Sequence, residues 1–305
     1  MKIFSKTSAV LAAFCAAFAL HAYTAIDFIP SSAAIYGHIN TRQIIAHPVF
    51  KQLVAPELNK QLAKERLNVS AFSGGLAFAW TLSPKSTDEF RVDIILTLNR
   101  PIAANIVKKI IVKNKSDKNF RKLKFGKMIG VEFKKEWRVF AYDSRTLIMQ
   151  LAKGQSVPFI MPRPVASSPL KNYAKNTVFV TANMPVLLTL FQSTIEESAN
   201  QYLADVRTPT FYANITKDNG INFSLVLEYA TPQICTETAK LLTRLRDENV
   251  QKYPQFAALL QKINVSVTNN NVLTIHAALS GDELNALVMT AKSIVELNAA
   301  QPQAN

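Results

Sequence analysis

The chain has 305 residues, 49% hydrophobic and 18% charged, with a formal net charge of +14. This balance excludes a disordered polyelectrolyte, and the length allows a substantial core. Only eight glycines occur, which disfavours collagen-like, propeller-like and glycine-rich phosphate-loop designs, while the positive charge favours polyanions or anionic membrane surfaces as partners.

Residues 1–22 read as a secretory signal peptide. Lys2 and Lys6 form the positive region, Ser8 to Leu20 the apolar region, and Ala17-Phe18-Ala19 a small-x-small cleavage site. The apolar run is short for a transmembrane helix. The expected location is therefore periplasmic or extracellular, with an uncleaved membrane anchor as the alternative. Bulky Phe14 before Cys15 argues against a lipoprotein. Cleavage leaves Cys235 alone, so no internal disulfide can form and the fold must rest on its core.

A first α+β unit is expected over 26–155. Ala34 to Ile39 predicts a strand. Asn40 is a sound N-cap for a helix carrying Ile44, Ile45, Phe50 and Leu53, interrupted at Pro48. A short helix over Pro56 to Leu67 precedes two strands, Phe72–Leu82 and Phe90–Leu98. Pro101 is expected in the first turn of the next helix, where its missing N–H costs nothing. Ile102, Ile106 and Ile110 form one apolar face of that helix. Trp137–Tyr142 and Thr146–Leu151 predict a hairpin around Asp143-Ser144-Arg145.

Pro158, Pro162, Pro164 and Pro169 mark a linker over 156–170. The second unit, 171–297, repeats the order. Strand Thr177–Ala182 leads to a helix capped by Asn183. A hairpin turns at Lys217-Asp218-Asn219-Gly220, and Pro232 opens a long helix. A further helix is expected over Pro254–Ile263, then a hairpin around Asn269-Asn270-Asn271, and a last helix with a Ser280/Glu283 capping box. Residues 298–305 read as a disordered tail.

Three blocks of the two units align in order. Tyr36 and Asn40 match Phe179 and Asn183. Val92, Ile94, Leu96 and Pro101 match Phe223, Leu225, Leu227 and Pro232. Val139 to Leu147 matches Val265 to Leu273. The expected fold class is α+β: two similar β-α-β-β-α-β-β units, mainly antiparallel sheets with helices packed on one face. The halves differ at Lys108 to Arg138, where twelve Lys or Arg face Asp117, Glu132 and Glu136, a net +9.

The pattern resembles a group of exported bacterial proteins with a domain of unknown function, built from paired α/β units. Their mature domain opens Pro-x-x-x-Ala-x-Tyr, matched here by Pro30, Ala34 and Tyr36, with Asn40 opening the helix and His47-Pro48-Val49-Phe50 following. The resemblance implies no activity.

No hydrolase, zincin, paired-cysteine or phosphate-loop signature occurs. The sequence therefore nominates no catalytic, cofactor-binding or metal-binding residue, and no cofactor. His38, His47 and His276 read as structural. Asp93 alternates with Arg91 and Ile95, which reads as a half-exposed face with Glu228 on its counterpart. Glu196-Glu197 reads as solvated, Trp80 and Trp137 as packing. The one candidate site is anion-binding: Lys115, Lys118, Arg121, Lys122, Lys124, Lys127, Lys134, Lys135 and Arg138, interleaved with Phe120, Phe125, Phe133 and Trp137. Anionic membrane or acidic glycan is the expected partner, and nucleic acid is not expected for an exported protein. A solvated lysine-rich hairpin is the plainer account of the same residues. The expectation is a non-enzymatic binding or scaffolding protein. The alternatives are a carrier of an apolar ligand in a helix–sheet pocket, and a hydrolase whose site assembles only in three dimensions.

Overall fold

The computed structural model describes residues 24–29, 33–83, 89–126, 128–154, 158–161, 163–165, 169–191 and 202–289. The expected signal segment, residues 84–88, Lys127, Glu196, Glu197 and the expected tail at 298–305 lie outside the described residues.

The fold is α+β. In the first half the strands are β1 (Ile35–Ile39), β2 (Gly75–Leu82), β3 (Phe90–Thr97), β4 (Phe120–Phe125), β5 (Met128–Phe133), β6 (Trp137–Ala141) and β7 (Thr146–Lys153). In the second they are β8 (Val178–Ala182), β9 (Val206–Ile215), β10 (Ile221–Tyr229), β11 (Asn264–Thr268) and β12 (Val272–Leu279). All twelve join one antiparallel sheet in the order β11-β12-β10-β9-β8-β1-β2-β3-β7-β6-β5-β4. The halves meet at the β1–β8 pair, where Gly37 lies opposite Val180. A Cβ on Gly37 would sit 2.4 Å from the Phe179 carbonyl oxygen and 2.8 Å from the Phe78 ring, so only glycine lets the two halves close on this line.

Outward from the seam, β1-β2-β3-β7-β6 runs in the same order as β8-β9-β10-β12-β11. The three aligned sequence blocks fall on these corresponding strands. The extra pair is β5-β4, built from the basic segment.

The helices include α1 (Thr41–Ala46), α2 (Ala55–Ala63), α3 (Ala103–Lys113), α4 (Met184–Phe191), α5 (Pro232–Lys252) and α6 (Ala257–Leu260), and residues 281–289 are helical as expected after Ser280. Asn40 caps α1 by accepting from the Gln43 N–H at 3.3 Å. Helix α3 lays Ala103 and Val107, both fully buried, on Val131 and Leu147. Helix α5 lays Cys235 on Leu227, Tyr229 and Leu273. Val131 and Leu225 belong to one cross-strand row, so α3 and α5 cover the same sheet face. Pro232 is in the first turn of α5, and Asp205 accepts from the Thr231 N–H at 2.7 Å in place of a local cap. Pro101 is not in α3: that helix starts two residues later, with the Ala103 N–H bonded to the Ser144 carbonyl. The expected helix over Pro254–Ile263 is only a 3-10 turn at Pro254–Phe256 followed by α6.

The opposite face corrects a second expectation. Arg91 and Asp93 are not half-exposed; they are 8% and 2% exposed, beside Ile95 at 0%. A 3-10 turn at Ala25–Phe28, another at Pro169–Tyr173 and the proline-rich connection pack over these strands. Alternation tells which residues share a face, not which face receives a cover. Arg91 donates to Asp93 at 3.0 Å and to the Pro158 carbonyl at 3.1 Å. Gln150 donates to Asp93 at 2.6 Å and to the Ile160 carbonyl at 2.8 Å. The connection between the halves is thus held against the sheet. Burial raises the Asp93 carboxyl above its usual range, with Arg91 and Gln150 pulling the other way.

Candidate anion-binding site

The basic segment forms the β4–β5 hairpin and the β5–β6 turn at one end of the sheet. Strand β4, with sequence FRKLKF, is the edge. Phe120 and Phe133 meet edge to face at 5.1 Å and join the core under α3. They anchor the hairpin, which leaves its cations outside.

The structure separates the nine predicted cations. Lys118, Arg121, Lys134 and Lys135 converge with Asn119, Phe120 and Glu132 around a cavity of about 310 Å³. Lys122 and Lys124 pair across from Val131 and Ile129, on the opposite face of β4 from Arg121. Lys115 is exposed in the turn after α3. Arg138 is committed elsewhere: its guanidinium bonds Glu132 at 2.7 Å and lies 3.8 Å from the centroid of the Phe159 ring. Lys127 lies outside the described residues.

Glu132 is the residue the sequence reading passed over. It sits between Val131 and Phe133 in β5, 3% exposed. Its oxygens meet Arg121 at 2.8 Å and Arg138 at 2.7 Å. The signal was available in the register, since Arg121, Glu132 and Arg138 are direct cross-strand neighbours. One carboxylate compensates two guanidinium groups, and Arg121 keeps 66% of its side chain exposed at the mouth.

The β5–β6 turn has its own cost. Lys134 and Lys135 both adopt left-handed backbone, at φ 50° and 61°, with the Glu136 N–H closing the turn on the Phe133 carbonyl. Asparagine and glycine occupy such positions with little strain, and lysine does not. The turn at Asn269 and Asn270 uses the tolerant residue at φ 51° and 62°. Lysine therefore stands where the backbone favours another residue. The Lys134 N–H is tied to the Asn119 carbonyl at 3.0 Å, which fixes this turn against the segment carrying Lys118.

The other candidates resolve into packing. His38 donates from Nε2 to the Tyr173 carbonyl at 2.7 Å, and His47 from Nε2 to the Asn219 carbonyl at 2.8 Å. Burial holds the His38 imidazole below its ordinary pKa, partly offset by that bond. Ser224 and His276 are 2.9 Å apart. Their row continues to Tyr212 and Asn264 with no acid, so nothing in it orients the imidazole as a base. Cys235 is fully buried, and burial pushes its thiol up, away from thiolate chemistry. Trp80 meets Phe90 edge to face at 6.0 Å, whereas Trp137 is 44% exposed beside the hairpin. Among the described residues no helix is long and apolar enough to cross a membrane.

No family model matches this chain, and no curated protein matches it. Among solved structures, crystal form I of TP0453 aligns with a TM-score of 0.48 and 12% identity, covering 89% of this chain and 98% of that one. Crystal form III of TP0453 aligns with a TM-score of 0.47 and 10% identity, covering 88% of this chain and 99% of that one.

Proposed function

We propose that this is an exported, non-enzymatic binding or scaffolding protein that grips anionic groups at the β4–β6 end of its sheet. The observation that carries this reading is the convergence of Lys118, Arg121, Lys134 and Lys135 on one cavity, with two of the lysines held in left-handed backbone. Four exposed cations around a concavity suit a phosphate or carboxylate with several acceptor oxygens. A lipid headgroup and an acidic glycan share that chemistry. A charged edge strand also protects a sheet against edge-to-edge pairing, a role that Lys122 and Lys124 on the opposite face fill without any ligand.

The test is binding of the full chain to phosphatidylglycerol vesicles and, separately, to an acidic polysaccharide resin. Combined Lys118→Glu, Lys134→Glu and Lys135→Glu is expected to abolish binding to whichever source is recognised. Lys122→Glu with Lys124→Glu is expected to weaken it only slightly. Unchanged binding in the first variant, with its circular dichroism intact, would sink the reading.

A second reading has its own observation. Leu242, Leu245, Leu260, Ile263, Val265 and Ile275 line a cavity of about 240 Å³ between α5, α6 and the sheet, with Arg246 and Asn249 also lining it. This suits a short apolar group with a polar end. Native mass spectrometry of protein from its own host would show the added mass, and a clean unliganded mass counts against it.

A further inference from the structure

The two edges of the sheet are unlike. Edge strand β4 carries Arg121, Lys122 and Lys124, whereas β11 at the other end reads Asn264-Val265-Ser266-Val267-Thr268 and holds no charge. An edge strand presents a row of backbone donors and acceptors, and proteins usually blunt it with charge, proline or a bulge. β11 has none of these: its register against β12 is unbroken from Asn264 to Thr268. Asn264, Ser266 and Thr268 are exposed. Val265 and Val267 point to the other face, into the core cluster beneath α5.

The strand is also self-complementary. A two-fold axis through Ser266 places Val265 opposite Val267 of a second copy, Asn264 opposite Thr268 of that copy, and Ser266 opposite its own equivalent. Valine meets valine on the helix-covered face, and hydroxyl or amide meets hydroxyl on the other. Just before the strand, Lys262 pairs with Glu283 at 2.7 Å. Along the strand itself, two copies meeting here oppose no like charges. Two copies meeting at β4 would oppose Arg121, Lys122 and Lys124 against themselves.

We infer that β11 is the dimerisation edge of this protein, pairing antiparallel with β11 of a second copy about Ser266 and leaving both basic ends outermost. Symmetry makes every contact count twice, which favours a second copy over an unrelated strand. A five-residue edge alone buries less than the roughly 1,000 Å² typical of a stable specific interface, so the association is weak and concentration-dependent.

The test uses the full chain and charge placed on the axis. Sedimentation velocity over ~1 to ~300 µM protein is expected to show a rising dimer fraction. Ser266→Lys alone and Ser266→Glu alone are each expected to be monomeric, because each opposes its own charge. An equimolar mixture of the two is expected to restore a dimer containing one of each. Ser266→Cys is expected to form a disulfide-linked dimer under mild oxidation, and Lys124→Cys on the opposite edge is not. A wild-type chain that stays monomeric with no crosslink at Ser266→Cys overturns the inference. So does a dimer that Ser266→Lys leaves intact, or a mixture that does not reassociate. Pairing of β11 with an unrelated strand would show as a stable complex with that protein and no self-crosslink, and it too overturns the inference.

Discussion

Glu132 Oε2 lies 2.7 Å from Arg138 Nε, and Glu132 also lines the cavity on which the exposed cations Lys118, Arg121, Lys134 and Lys135 converge. The pair has two opposing effects. It satisfies a guanidinium that is only 21% exposed, and it subtracts one charge from the site. Glu132→Gln therefore should move two readouts in opposite directions. Leaving Arg138 without its counter-ion is expected to cost about 2–3 kcal/mol of stability, at or below the low end for breaking a buried pair because Arg121 is exposed. Freeing Arg121 is expected to raise affinity for an anionic vesicle. Chemical denaturation and vesicle titration of the same variant check both; a loss of affinity would mean that Glu132 is needed to shape the cavity.

The left-handed lysines give a second opposed pair of effects. Lys134→Asn with Lys135→Gly relieves backbone strain of order 1 kcal/mol at each position. The variant is expected to unfold at higher denaturant concentration than the parent and to bind anions more weakly. If stability does not rise, the turn is unstrained and its lysines are ordinary surface residues.

The Arg91–Asp93 pair ties the proline-rich connection to the sheet. Asp93→Ala leaves a guanidinium 8% exposed without its partner and is expected to cost about 3–5 kcal/mol. Replacing both residues by leucine is expected to recover most of that loss, because a buried pair contributes little net stability over apolar packing. Equal losses in the single and double variants would show that the Arg91 bond to the Pro158 carbonyl, lost only in the double variant, offsets the gain from apolar packing. Equilibrium unfolding in urea distinguishes the two outcomes.

Much of the framework was legible in the sequence. The matched blocks at Tyr36 and Phe179, Ile94 and Leu225, and Val139 and Val265 all fall on corresponding strands, because strand alternation and turn residues are local signals. The single continuous sheet was not legible, since the β1–β8 pairing joins residues far apart in the chain. The fate of Arg91 and Asp93 was hidden for the same reason: their cover comes from residues 25–28 and 158–161. At the candidate site the charge was plain in composition, yet its division was not. Alternation separates Lys122 and Lys124 from Arg121, but only the pairing of β4 with β5 shows that Arg121 stands beside Glu132. Glu132 acquires its role only when two strands bring arginines to either side.

His38 offers a pH test. Its imidazole is buried and held below its ordinary pKa of 6.5, so the unfolded chain takes up the proton first as pH falls. The stability tied to neutral His38 is fully present above about pH 6.5 and declines as pH falls from there toward the lower folded-state pKa. Thermal unfolding is expected to show a drop in Tm between about pH 7.5 and pH 5.5 that shrinks in His38→Gln, because the other titrating groups are common to both proteins. An identical drop in the two would assign the acid sensitivity elsewhere.

The most direct test of anion recognition is the salt-dependent partitioning of the full chain onto phosphatidylglycerol vesicles, compared with the combined Lys118→Glu, Lys134→Glu and Lys135→Glu variant. Binding by the parent is expected at ~0.05 M salt, with at least a tenfold loss near 0.5 M, where the Debye length has shortened severalfold. The variant is expected to show no measurable partitioning at either concentration. A variant that binds as its parent does, or a parent whose binding ignores salt, would contradict the assignment of this cavity as the contact.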